Sequence, residues 1–377
     1  MARLAISGIG VVAPDAIGLD AFRALLASGR AVAAPTARVH DFKPREFINP
    51  MKMRRMNSLS RFGVAAAKLA LADAAIDPGR NTGVALGTAF GPVQTSVEYM
   101  QEYVEKGAAL APPQLFAESV ANAPGSHIAI ESDFRGFNIT ITQRESSALA
   151  AAMYAASQVV KGSVDAALTG GIEEASEITI SVLERLGALS KDVARPFDCN
   201  RNGMTFGEGG AVLLLQARAA RSYAFVSGFG MARDTTASIS DWGDDHGAVV
   251  TAMRAAIDDA ELAIGDIDAV YASANGSVRG DAVEGRAIEA LFGERIPPVV
   301  ATKGMFGEYA AAGALQLVAA IIAIDEQAVH ASAGFERGDF RFTPTRERRA
   351  CALRHVLVSS VSAGGGIVCA VLSKEAA

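Results

Sequence analysis

The sequence predicts an α/β fold, and three observations carry that expectation. Apolar segments of strand length alternate with helix-length segments along the chain. Two of the helical segments are Ala-rich with almost no polar face, which calls for burial. The order of elements is similar before and after about residue 220, which suggests an internal duplication with halves 1–220 and 221–377. The 377 residues, 50% of them apolar, leave room for two domains or one large duplicated one. The 37 glycines and the low aromatic content favour close-packed helices.

In chain order, Leu4 to Val12 reads as a strand buried on both faces. Leu59 to Ala75 has helical spacing and stops before Asp77-Pro78-Gly79. Gly83 to Phe90 is a strand, Val93 to Lys106 a helix, and Ile139 to Thr142 a strand end. Ser146 to Lys161 is the first Ala-rich helix, expected to be buried on all sides. Val164 to Thr169 follows as a strand closed by Gly170-Gly171, and Ala211 to Leu215 ends the first half. The second half reads as strand Tyr223–Phe229, helix Ala248–Ala260, strand Ala269–Ala274, helix Val283–Phe292 and strand Pro298–Ala301. The second Ala-rich helix, Ala310–Ile324, precedes the last strands, His355–Ser360 and Gly366–Leu372.

Net charge is −6 and no basic block dominates, so nucleic acid is excluded as an expected partner. Lys52-Met53-Arg54-Arg55 is a short basic stretch, either a solvated loop or a dock for an acidic carrier protein. Cys199, Cys351 and Cys369 have no metal-ligand or Cys-x-x-Cys spacing, so neither a disulfide framework nor a metal is expected. The first residues lack the apolar length of a signal peptide, and no run approaches a membrane span, so a cytoplasmic protein is expected. No cofactor motif is present; the Gly207-Glu208-Gly209-Gly210 cluster is a weak phosphate-loop signal.

Four motifs align in order with one family. Gly136-Phe137-Asn138, the Ala-rich helix and Gly170-Gly171-Ile172-Glu173-Glu174 resemble the central block of β-ketoacyl-acyl-carrier-protein synthases. Arg195 to Ala211 (RPFDCNRNGMTFGEGGA) is similar to their Arg-Pro-Phe-Asp…Gly-Glu-Gly-Ala signature. Asn275 to Glu284 resembles their His-Gly-Thr…Asp-x-x-Glu segment, and Ala301 to Ala314 their Thr-Lys-x-x-x-Gly-His…Gly-Ala-Ala-Gly segment. The resemblance implies a thiolase fold, with two similar halves in an α-β-α-β-α layering, and a dimer. It also implies chemistry built on a Cys nucleophile at the start of the central helix and two His residues.

The departures fall on that chemistry. Aligned without gaps from Gly136 to Gly171, the Cys position is Glu145; the two His positions are Asn275 and Glu308. Lys303, Asp281 and Glu284 are kept, with Lys303 expected in an internal ion pair. Near the C-terminus the family's two gating Phe positions fall on Val361 and Ala363. An acyl–Glu145 would be an anhydride rather than a thioester, so condensation is not expected. Glu145 and Glu308 are expected to face each other near Lys303, as a polar plug or as an acid/base pair. Asn275 keeps a hydrogen-bond donor for a residual oxyanion site.

The resemblance points first to a chain-length-factor-like subunit of an aryl-polyene or other type II polyketide system. Such a subunit pairs as a heterodimer with a Cys-containing ketosynthase, works with its acyl carrier protein, and lacks condensing activity of its own. The family's interface segment is here Val93 to Asn138, where Tyr99, Tyr103, Leu115, Phe116, Phe134 and Phe137 supply bulk for a tunnel gate; each also reads as ordinary core. The alternatives are a carrier-dependent decarboxylase using Glu145 and Glu308, and a scaffold that recruits without shaping product.

Overall fold

A computed structural model describes residues 3–375. The first strand, β1 (Leu4–Ala13), is buried along its whole length. Helix α1 (Ser58–Ala74) lies so close to it that a Cβ on Gly10 would sit 1.8 Å from the carbonyl oxygen of Ala66. Strand β2 (Thr82–Gly87) precedes helix α2 (Val93–Lys106), whose bounds match the sequence expectation. A one-and-a-half-turn helix, α3 (Pro113–Glu118), and strand β3 (Asn138–Ile141) complete the segment before the central helix α4 (Ser147–Val160). The first half continues with β4 (Ala166–Glu173), α5 (Glu177–Arg185) and β5 (Gly209–Gln216).

The second half supplies β6 (Ala224–Arg233), α6 (His246–Asp259), β7 (Ala269–Tyr271), α7 (Val278–Phe292) and β8 (Val299–Val300). Helix α8 (Ala310–Glu326) and strands β9 (His355–Val361) and β10 (Gly366–Ser373) finish it. The strands join in one sheet in the order β8-β7-β9-β10-β6-β1-β5-β4-β2-β3. Outward from the β1–β6 seam the two halves run β1-β5-β4-β2-β3 and β6-β10-β9-β7-β8. The two innermost pairings of each half are antiparallel and the two outermost are parallel. This is the thiolase-like α/β fold, in which α4 and α8 pack on each other against the central strands. Residues 311–324 of α8 are all buried, which explains a helix written almost wholly in Ala, Leu, Ile and Val.

Three expectations are corrected. The strand after Gly83 stops at Gly87, because the amides of Ala89 and Phe90 turn to meet the Glu173 carboxylate. Gly170-Gly171 does not close β4, which runs on to Glu173; a Cβ on Gly170 would lie 1.9 Å from the Ala211 oxygen, so the glycine serves close strand packing. The central helix is not buried all round. Met153, Tyr154, Ser157 and Gln158 are half-buried, Val160 is exposed, and Arg144–Ser146 form a separate 3₁₀ turn ahead of it.

Candidate functional site

Glu145 sits in that 3₁₀ turn. The turn is held where β2 ends, because Gly87 brings no Cβ: one would lie 2.3 Å from the carbonyl carbon of Ser147. Arg144 enters the turn with φ +51, a left-handed conformation uncommon for a residue with a side chain. Hydroxyls lock it in place. Ser147 Oγ donates to Arg144 O at 2.6 Å, Ser360 Oγ donates to Glu145 O at 3.0 Å, and the Ser146 amide donates to Ser362 Oγ at 2.9 Å. Ser146 Oγ returns a bond to Ser360 O at 3.0 Å. The turn is thereby tied to the Gly-rich bend between β9 and β10.

The outcome is a filled amide pair. Glu145 Oε2 accepts from the Ala363 amide at 3.1 Å, and the Glu145 amide also faces its own carboxylate. Burial pushes this carboxyl up to about 7; the Arg144 guanidinium, with Nε 4.0 Å from Oε2, pulls it down, and Glu308 pushes it up. A 220 Å³ cavity lined by Arg144, Asp241, Trp242, Arg279 and Ala363 includes Glu145 in its wall.

Glu308 and Lys303 form a buried ion pair at 2.6 Å. Glu308 Oε2 also accepts from Asn275 Nδ2 at 2.9 Å, while Oε1 has no partner. Burial raises the Glu308 carboxyl, and the Lys303 ammonium opposes that rise. Lys303 is therefore in an internal ion pair, as expected, and its partner is Glu308 rather than Asp281 or Glu284. Asp281 instead binds backbone, taking amides from Phe197 at 2.8 Å, Asn275 at 3.0 Å and Gly276 at 3.1 Å. Glu284 takes the Ser273 amide at 2.8 Å and the Ser359 hydroxyl at 2.5 Å. Burial raises Asp281 to about 6 and Glu284 to about 7. Ser273 Oγ joins the two groups, accepting from Lys303 Nζ at 3.3 Å and from the Val361 amide at 3.0 Å.

Glu145, Asn275, Lys303, Glu308, Asp281, Glu284, Val361 and Ala363 thus belong to one buried array. One of the two Asn275 Nδ2 hydrogens is committed to Glu308, which ties the expected oxyanion donor to the Lys303–Glu308 pair. The aromatic candidates split into separate places. Phe134 is core, and Phe137 is half-buried edge-on to Tyr154. Tyr99 contacts Tyr103 and Phe116 on the surface of α2 and α3, where Tyr103 is 42% and Phe116 56% exposed, so ordinary core is excluded for those two. Leu115 lines a separate cleft with Arg54, Arg55 and Glu118. Among the described residues no group of three or more His, Cys, Asp or Glu is placed to hold a metal ion. Among the described residues no helix is long and apolar enough to cross a membrane.

Sequence reasoning missed the serine network and the second carboxylate pair. Glu173 caps the Thr88–Phe90 turn, and Glu174 takes the Gln94 amide at 3.0 Å, so both hold the start of α2. Polar residues set inside apolar runs, as in Glu145-Ser146-Ser147-Ala148 and Ser359-Ser360-Val361-Ser362, were the signal for the serines.

Comparison with known proteins adds the following. Residues 32–220 match the family model for the β-ketoacyl synthase N-terminal domain, and residues 223–336 match that for its C-terminal domain. The ketoacyl synthase alpha subunit of the tetracenomycin polyketide synthase of Streptomyces glaucescens is 29% identical, over 89% of this chain and 88% of its own. A solved structure described as the ishigamide ketosynthase/chain length factor superimposes with a TM-score of 0.92 at 26% identity, covering 99% of each chain. A type II polyketide acyl-carrier protein in complex with its ketosynthase shares the fold, with a TM-score of 0.88 at 21% identity, over 99% of this chain and 100% of that one.

Proposed function

Since the chain belongs to the β-ketoacyl synthase family, we propose that it is a non-condensing, chain-length-factor-like member. In this reading it pairs with a Cys-containing ketosynthase and shapes the acyl chain growing on that partner's carrier protein, in a polyketide or aryl-polyene type of pathway. The observation that carries the reading is the Glu145 carboxylate resting on the Ala363 amide at the position aligned with the nucleophile. A carboxylate there supplies no thiolate, and it covers donors that would otherwise stabilise an oxyanion.

The partner face has its own support. Strand β3 is the sheet edge and, among the described residues, pairs only with β2. Helix α2, which packs against α3 and α5, buries only Thr95 and exposes Val97, Met100, Tyr103 and Val104, with Leu110 and Phe116 continuing the apolar surface. An open sheet edge and an exposed apolar surface each suit a partner of the same fold. The carrier-dependent decarboxylase is the weaker reading, because one oxygen of Glu145 is held by the Ala363 amide and one oxygen of Glu308 by Lys303.

Native mass spectrometry of the chain co-expressed with Cys-containing ketosynthases tests the proposal. A one-to-one complex is the expected result. A homodimer that ignores every such ketosynthase would overturn it.

A further inference from the structure

A second cleft lies against the Glu145 turn. Its volume is about 630 Å³, and it shares Arg144 and Ala363 with the smaller cavity that reaches Glu145. Its walls include Met231 and Ile239, which are 55% and 88% exposed, Ala232 and Ala363, and glycines at 364 and 366. The volume lies within the usual range for small-molecule sites, which are mostly apolar with a few placed polar groups.

The charges in this cleft are of one sign. No Asp or Glu lines it, although the chain carries a net charge of −6; its two charged lining residues are Arg144 and Arg233. Arg233, at the end of β6, is exposed and makes no ion pair among the described residues. Arg144 donates from Nη1 to Ile239 O at 3.3 Å and lies over the Phe90 ring at 5.5 Å. Its Nε is buried without a hydrogen-bond partner, the nearest carboxylate being Glu145 at 4.0 Å. The left-handed backbone that aims this side chain is a conformation a protein holds only under constraint.

We propose that this cleft binds a linear, medium-chain carboxylic acid, its carboxylate held between Arg144 and Arg233 and its chain laid along Met231, Ile239 and the side-chain-free Gly364–Gly366 bend. A guanidinium pairs well with the planar carboxylate fork, and the apolar wall accounts for a hydrocarbon tail better than for a free inorganic anion. A monocarboxylic chain still joined to a carrier as a thioester has no such carboxylate, so the ligand is the free acid, the product of thioester hydrolysis. The acid would draw Arg144 from Glu145 and so couple the two cavities. The proposal stands apart from the partner-subunit reading.

Calorimetric titration of the full chain with decanoate, below its micellar concentration, tests it. Saturable one-to-one binding is expected. Removing one charge-assisted bond by Arg233→Ala should weaken binding about tenfold or more, with Arg233→Lys recovering part of the loss. Arg233 is exposed, so that variant keeps the fold, which an unchanged melting temperature confirms. Acetate, without the tail, and decanol, without the charge, should both bind at least about tenfold more weakly. No decanoate binding, equal binding to wild type and Arg233→Ala, or equal binding of decanol and decanoate would each overturn the proposal.

Discussion

The Glu145 carboxylate accepts a 3.1 Å hydrogen bond from the Ala363 amide, 218 residues further along the chain. This bond joins the turn before α4 to the bend between β9 and β10, one from each half of the molecule. It places an acid where the family alignment puts a nucleophile.

The bond leads to a prediction about restoring chemistry. In Glu145→Cys, the thiol would stand beside two amides and the start of a buried helix, a setting that favours the thiolate. The variant should take an acyl group from an acyl carrier thioester, seen as a mass increase on the intact protein. It should form no carbon–carbon bond with a malonyl carrier protein, since Asn275 and Glu308 provide no imidazole. Condensation by this single variant would show that the array can do without the two histidines.

Lys303 and Glu308 are 0% and 1% exposed, so each is the other's compensation for burial. Lys303→Met should destabilise the fold by about 3–5 kcal/mol, because it strands a buried carboxylate. Lys303→Met/Glu308→Leu should lose far less. Denaturant melts of the two variants measure this, and equal losses would mean that packing, not charge, holds the site.

Buried carboxyls should make stability fall with pH. Burial raises Glu173 to about 8 and Glu145, Glu174 and Glu284 to about 7. The folded chain then holds protons that the unfolded chain has released, and the stability this supplies is lost as pH rises through the folded values. Burial lowers His330 to about 4 and also lowers His355, which has the opposite effect, but only below the ordinary histidine value of about 6.5. From pH 6.5 to 8.5 the carboxyls therefore act alone, and the melting temperature should drop. A flat profile would rule out protonated carboxyls in the folded core.

The surface aromatics give a prediction about product. If Tyr99 and Phe116, in contact at 5.5 Å, close a tunnel shared with the partner, Phe116→Ala should lengthen the partner's product while leaving the chain's own melting temperature nearly unchanged. Product analysis by mass spectrometry reads the first effect. Unchanged length in this variant and in Tyr99→Ala would remove the gate from these residues.

Much of this protein was legible in its sequence because local chemistry and motif spacing carry it. Alternating apolar segments gave the α/β class, and the match of α2 to Val93–Lys106 shows how far helical periodicity reaches. The ordered motifs gave the family and the three altered positions. Strand ends were less legible: Gly87 reads as mid-strand but ends β2, and Gly170 reads as a stop but lies within β4, each glycine being there because another backbone passes within a few ångströms.

The partners of the buried charges were decided only by tertiary structure. Lys303 could have joined any of several carboxylates, and the fold gave it Glu308, five residues on, while Asp281 and Glu284 went to backbone amides and hydroxyls. The Glu145–Ala363 bond and the Arg144–Arg233 cleft each join residues from the two halves of the chain. Sequence sets which groups must find a partner when buried; which partner they find depends on distances that exist only after the strands have paired.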